Sequence, residues 1–269
     1  MKEKKRIVIK VGTSTLTHES GSLNLQRIEH MARVLADLHG MGHEVILVSS
    51  GAIAVGVAEL QLSARPTELR YKQAAAAVGQ CNIMHIYDKL FSEYSCSVAQ
   101  ILLTGDDVDD PIRAEHLSNT FSALLEMGVI PIVNENDSVS SAEIETGHNK
   151  ILGDNDTLSA IVAKLCKADL LVLLSDIDGL FDADPRSNPD ARLIPTVTEL
   201  TEEVLHLAGG SGTWRGTGGM ATKLNAAGIA MAAGVEMVIT NGSRMEDIYG
   251  IVAGQAIGTR FLATETGRE

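Results

Sequence analysis

Apolar residues along the chain fall into short β-branched runs that alternate with longer stretches of three-to-four spacing. The runs "RIVIKVG" (6–12), "HEVILVSSG" (43–51), "SVAQILLT" (97–104), "GVIPIVNEN" (128–136), "DLLVLLSD" (169–176) and "VEMVITNG" (235–242) predict strands. Their apolar positions are nearly continuous, as in strands covered by helices on both faces. Between them, "NLQRIEHMARVLADLHGMG", "ELRYKQAAAAVGQCNIMHIYDKLFSEY", "IRAEHLSNTFSALLEMG", "DTLSAIVAKLCKA" and "KLNAAGIAMAAG" predict helices, several stopping at glycine. The second of these reads as a long helical hairpin through which the protein would assemble. Strand–helix alternation of this kind implies an α/β fold, a three-layer αβα sandwich on a largely parallel sheet. No linker or repeat divides residues 1–269, so one domain is expected, with a seam where a second set of βα elements begins at 169–175.

Composition narrows the class. A chain of 269 residues with 45% hydrophobic content can build a large core. A net charge of −13 argues against nucleic acid or an anionic membrane as the main partner. The start, "MKEKKRIVIKVG", has too short an apolar run for a signal peptide, and no run of about 18 apolar residues follows. A soluble, cytoplasmic protein is expected. Cys81, Cys96 and Cys166 form no CxxC pair and read as small buried residues in a reducing compartment.

Parallel sheets bind ligands beyond the carboxyl ends of their strands, and here those ends are polar or glycine-rich. They comprise Lys10, Gly12, Thr13 and Ser14; Ser49, Ser50 and Gly51; Asn134 to Asp137; and Ser175 and Asp176, with Asp154 to Asp156 opening the next helix. Lys10 interrupts an apolar run, where a lysine is seldom buried without an anion. It reads either as a strand-end lysine reaching solvent or as a cation at a phosphate site. "GTGGMATK" (216–223) reads either as a flexible loop or as a second phosphate cradle of backbone N–H groups with Lys223. It matches neither the Walker pattern nor the dinucleotide fingerprint. Asp156 is expected to hold both ammonium groups in register. Asn134, Asp137 and Asn155 would then face a ligand carrying an amino group and a carboxylate.

The stretches "IVIKVGTSTLT", "VSSGAIAVG", "VNENDSV", "GDNDTLSA", "LLSDIDGLFDADPRSNPDA" and "GTGGMATKLNAA" together resemble the glutamate 5-kinases of the amino acid kinase family, over essentially the whole chain. The resemblance implies phosphorylation of the γ-carboxylate of L-glutamate by ATP with Mg2+, the first step of proline biosynthesis. By the same carry-over, Lys10, Lys223 and Asp156 are catalytic, and Ser50, Asp137, Asn155 and Asn134 bind glutamate. The nucleotide would meet Lys10, Gly12, Thr13, Ser175, Asp176, Thr217, Gly218, Gly219, Met220, Ala221, Thr222 and Lys223. Residues 1–168 would form the glutamate lobe and 169–269 the nucleotide lobe. A dimer or tetramer and feedback by proline are family expectations. Many members add a C-terminal PUA domain; after "TRFLA" only a short polar tail remains, so none is expected here. The stretch 137–153 is longer than in members with a tight hairpin there.

Other residues have plainer readings. The eight histidines show no metal-ligand spacing. Asp182 and Asp184 are turn residues before Pro185, and Asp106, Asp107, Asp109 and Asp110 form a solvated helix cap. The alternatives kept open are a family member with another acceptor (N-acetylglutamate, carbamate or UMP) and a non-catalytic sensor. Asp137 argues against the first, and intact Lys10, Asp156 and Lys223 against the second.

Overall fold

The computed structural model describes residues 4–18, 20–139, 154–207 and 219–264. The first half of the chain runs β1 (Arg6–Val11), α1 (Thr13–Leu16), α2 (Leu25–Gly40), β2 (Glu44–Val48), α3 (Ala52–Glu59), α4 (Leu69–Ser92), β3 (Val98–Leu103), α5 (Gly105–Asp109), α6 (Pro111–Glu126) and β4 (Ile130–Glu135). It continues with α7 (Asn155–Leu165), β5 (Leu170–Ser175), β6 (Thr196–Val197), α8 (Glu202–His206), α9 (Met220–Ala232), β7 (Glu236–Asn241), α10 (Asp247–Val252) and β8 (Thr259–Phe261).

The strands form one sheet in the order β3-β4-β2-β1-β5-β7-β8-β6. Pairing is parallel from β3 to β7; β8 turns back antiparallel on β7, and β6 lies parallel to β8. The chain works outward from β1 on one side and, at β5, crosses to the other. The carboxyl ends of β1 and β5 therefore border a topological switch point, where open α/β sheets bind ligands.

Strand periodicity decides what faces what. Ile7, Ile9 and Val11 point into the core packed by α2, α4 and α10, while Val8 points into the core packed by α6, α7 and α9. Each such side chain contributes about 1.5–3 kcal/mol relative to exposure, so the position of β1 is strongly fixed. Lys10 has the parity of Val8 and must enter the α7–α9 layer.

The α4 segment corrects the hairpin expectation. It is a single helix of 24 residues. Gly79 does not break it because that glycine is used for contact. A Cβ there would stand 1.9 Å from the Ala52 carbonyl oxygen, and one on Gly56 would stand 1.8 Å from that of Ala75. Backbone meets backbone where α3 crosses α4. The acidic run is likewise more than a cap. Its first part is the short helix α5, boxed by Thr104 and Asp107, and Asp110 caps α6 ahead of Pro111. Of the three cysteines only Cys166 is buried; Cys81 is exposed on α4, contrary to expectation, because it lies on the side of that helix away from the sheet.

Candidate active site

Lys10 lies one residue before the end of β1, flanked by Val48 of β2 and Leu173 of β5. Among these apolar neighbours its charge needs a partner. Its Nζ is 2.6 Å from Asp156 Oδ1, and Lys223 Nζ is 3.0 Å from Asp156 Oδ2. The Thr222 hydroxyl adds a contact of 3.0 Å to the same Oδ2. Asp156 is 2% exposed, and Lys10 and Lys223 are also buried. Burial pushes the Asp156 carboxyl up, but the charges and hydrogen bonds of Lys10 and Lys223 outweigh it and hold the group below its usual range. Two ammonium groups on one carboxylate leave a surplus positive charge in a nearly closed site. Such a site favours an anion.

Local sequence explains how Asp156 is presented. The Asp154 carboxylate caps α7, accepting from the backbone N–H groups of Asp156 and Thr157. The preceding turn is thereby fixed. Gly219 caps α9, which starts at Met220, so Met220, Ala221, Thr222 and Lys223 form its first turn. The sequence had placed the helix start about one turn later. Asn155, the neighbour of Asp156, faces a second cluster. Its Nδ2 is 2.9 Å from the Ser49 carbonyl oxygen, 2.6 Å from Ser50 Oγ and 3.3 Å from Asn134 Oδ1. Asn134, at the end of β4, also binds Gln80 of α4. Gly51 follows Ser50 with φ +89° and turns the chain from β2 into α3, a conformation that favours glycine.

The remaining expected residues lie around this centre. A Cβ on Gly12 would stand 3.5 Å from Lys10 Nζ, so the glycine backbone borders the ammonium. Thr13 is exposed at the start of α1, beside Gly51. Asp137 sits in the turn after β4, partly buried. Ser175, at the end of β5, is buried and its hydroxyl is 3.2 Å from Asp176, which is itself exposed and paired with Arg186 at 2.6 Å. Thr217 and Gly218 lie outside the described residues, as does nearly all of 137–153. Sequence reasoning missed Gln80, Arg186 and the Asp178–Asn241–Arg244 group. Arg186 stands in the quoted "DADPRSNP", whereas nothing about an isolated glutamine in an alanine-rich helix marked Gln80. Away from these residues, a cavity of about 580 Å3 beside Lys5, Asp37 and Tyr249 opens at the amino-terminal edge of the sheet.

The profile of the amino acid kinase family matches residues 5–241, and the chain belongs to that family. A carbamate kinase from Giardia lamblia, bound to AMP-PNP, covers 98% of this chain and 100% of its own with a TM-score of 0.65. At 19% identity that likeness concerns the fold alone. Within the family the chain groups with the glutamate 5-kinases. The glutamate 5-kinase of Clostridium perfringens is 54% identical over 98% of this chain and 97% of its own. That of Clostridium acetobutylicum is 56% identical over 96% and 94%.

Proposed function

We propose that the chain phosphorylates the γ-carboxylate of L-glutamate with ATP, giving γ-glutamyl 5-phosphate and ADP, the entry step of proline biosynthesis. One observation carries the reading. Consecutive residues of α7 serve two different clusters: Asn155 joins the amide and hydroxyl groups of Asn134 and Ser50, and Asp156 joins Lys10 and Lys223. On this reading an acid-binding site and a phosphate site stand side by side, as transfer between two bound substrates requires. The close relatives named glutamate 5-kinase support the choice of acid.

The glutamate carboxylate is already ionised near neutral pH, so the attack needs no general base. One of its oxygens forms a bond to the γ-phosphorus as the bond to the ADP oxygen breaks. Lys10 and Lys223 stabilise charge on the transferring group, and Asp156 keeps the two ammoniums apart and aimed. Ser50, Asn155, Asn134 and Asp137 hold the acid, Asp137 meeting its α-ammonium. Gly12, Thr13, Ser175, Asp176 and the start of α9, with Thr217 and Gly218, hold the nucleotide. Among the described residues no group of three or more His, Cys, Asp or Glu side chains could hold a metal ion. Mg2+ would enter as the counter-ion of the triphosphate and would supply charge neutralisation beside Lys10 and Lys223.

The strand order supports a functional division at β5, with 1–168 serving the acid and 169–269 the nucleotide. Both hydrophobic cores draw on both halves, so the halves form one packed unit. A homo-oligomer and proline as a feedback ligand at the acid site belong to the same reading. No described helix is long and apolar enough to cross a membrane.

The test is ADP release from the purified protein with Mg-ATP and L-glutamate, N-acetyl-L-glutamate or UMP, with hydroxylamine trapping any acyl phosphate. Glutamate-dependent ADP and γ-glutamyl hydroxamate are expected. Turnover with another acceptor alone would overturn the choice of acid, and ATP binding without any turnover would favour the sensor.

A further inference from the structure

Gln80 has no part in the assignments above, yet it is 7% exposed and its side chain enters the acid-binding cluster. The orientations of Asn134 and Asn155 are each determined by a group that can act in only one way, and that of Gln80 follows from Asn134. The backbone N–H of Glu135 can only donate, and it lies 2.9 Å from Asn134 Oδ1. The amide nitrogen of Asn134 must then face Gln80, which presents Oε1 at 2.9 Å. At the other end, the carbonyl of Ser49 can only accept, so the amide nitrogen of Asn155 faces it at 2.9 Å. The three amides therefore run in one direction: Asn155 donates to Asn134, and Asn134 donates to Gln80. Gln80 Nε2 ends the series as a buried donor with no partner among the described residues.

The helix crossing explains why a residue of α4 reaches the cluster at all. Gly79, the neighbour of Gln80, lets the two helix backbones touch, since a Cβ there would stand 1.9 Å from the Ala52 oxygen. That close approach carries α4 to the carboxyl end of β4. Ser49 is tied to the same helix through its hydroxyl, 2.9 Å from the Tyr87 hydroxyl.

We propose that Gln80 is a positioning residue for the acceptor acid, acting through Asn134, and this rests on the acid-kinase reading above. Oε1, together with the Glu135 N–H, holds the Asn134 amide in the orientation that offers its oxygen to Asn155. That leaves the Asn155–Ser50 pair set before substrate arrives. Without Gln80 the Asn134 nitrogen loses its acceptor, and the Glu135 N–H alone is left to hold the Asn134 oxygen toward Asn155, so the amide is less firmly ordered where the acid binds. The lost Asn134–Gln80 hydrogen bond is worth about 0.5–1.5 kcal/mol, or roughly 2- to 13-fold where binding draws on the ordered amide.

The experiment measures KM for glutamate and for ATP, with hydroxamate formation as the readout, in wild type, Gln80→Leu, Asn134→Ala and the double variant. The expected result for Gln80→Leu is a rise of about threefold or more in KM for glutamate with KM for ATP within about twofold. In the Asn134→Ala background the same change is expected to add less than about twofold, because its route is already cut. An unchanged glutamate KM, equal rises for both substrates, or effects that multiply in the double variant would each overturn the assignment. Should Gln80→Leu not fold, Gln80→Glu keeps an acceptor facing Asn134, and its glutamate KM is expected to rise less than that of Asn134→Ala; an equal rise would overturn it. Wild-type protein without glutamate-dependent turnover would remove the underlying reading as well. Active wild type with unaltered Gln80 variants would remove only this assignment.

Discussion

Asp156→Asn keeps the shape of the side chain and removes its charge. The carboxylate is 2% exposed, and its two oxygens lie 2.6 Å from Lys10 and 3.0 Å from Lys223. Removing one member of a buried ion pair costs about 3–5 kcal/mol, because the charge left behind is uncompensated. Here two ammoniums would be left. At about 2–4 °C per kcal/mol for a chain of this size, the melting temperature is expected to fall by roughly 6–20 °C. An anion that binds between the lysines should recover part of the loss, so inorganic phosphate or ATP should raise the variant's melting temperature more than that of the parent. The same variant alters acid stability. The Asp156 carboxyl titrates below its usual value in the folded protein, so its contribution is fully present above about pH 4 and is lost as pH falls through the lowered value. The variant's stability is expected to be flatter on that limb. Turnover should fall by about 10²–10³, the scale for losing one preorganised charge-stabilising group. Thermal melts with and without phosphate, together with ADP release, give the answer. A melting temperature within about 2 °C of the parent, with turnover within about threefold, would refute the reasoning about a buried, charge-organising carboxylate.

Lys10→Ala and Lys223→Ala are each expected to lower turnover by about 10²-fold or more while nucleotide binding partly survives, as read by ADP release and by calorimetry; unchanged turnover would remove their assigned roles. Gly79→Ala sets a methyl group 1.9 Å from the Ala52 carbonyl oxygen, and overpacking of this kind costs about 1–3 kcal/mol or more, visible as an earlier denaturant midpoint. The thiols give a check on burial. The Cys166 thiol is pushed up to about 12 by desolvation, with Arg6 partly opposing, whereas Cys81 is exposed. Ellman's reagent at about pH 8 should label Cys81 in the native protein and Cys166 only on unfolding. Rapid native labelling of Cys166 would show that the core around α7 opens.

The sheet was legible because β1, β2, β4, β5 and β7 are almost unbroken apolar runs, and only two-sided burial explains such runs. Lys10 stood out for the same reason, as a charge deep inside such a run rather than near its start. Asn155 and Asp156 were legible from the clash between polar, helix-poor residues and the apolar helix they open. What stayed hidden depends on contacts between segments distant in sequence. The α4 segment contains a glycine, and only the Ala52 carbonyl against it reveals why the helix does not bend there. Gln80 has no local signal, since its importance lies in an amide 54 residues away. The exposure of Cys81 follows from which side of α4 meets the sheet, and that is set by the crossing with α3.

The transferring phosphoryl is expected between Lys10 and Lys223, over Asp156, and a crystal structure with ADP, Mg2+, L-glutamate and a metal fluoride tests this most directly. The predicted result is fluoride density within hydrogen-bonding distance of both ammoniums, with the glutamate γ-carboxylate in line and its other groups on Ser50, Asn155 and Asp137. Nucleotide and fluoride bound elsewhere, with both lysines still facing only Asp156, would contradict it.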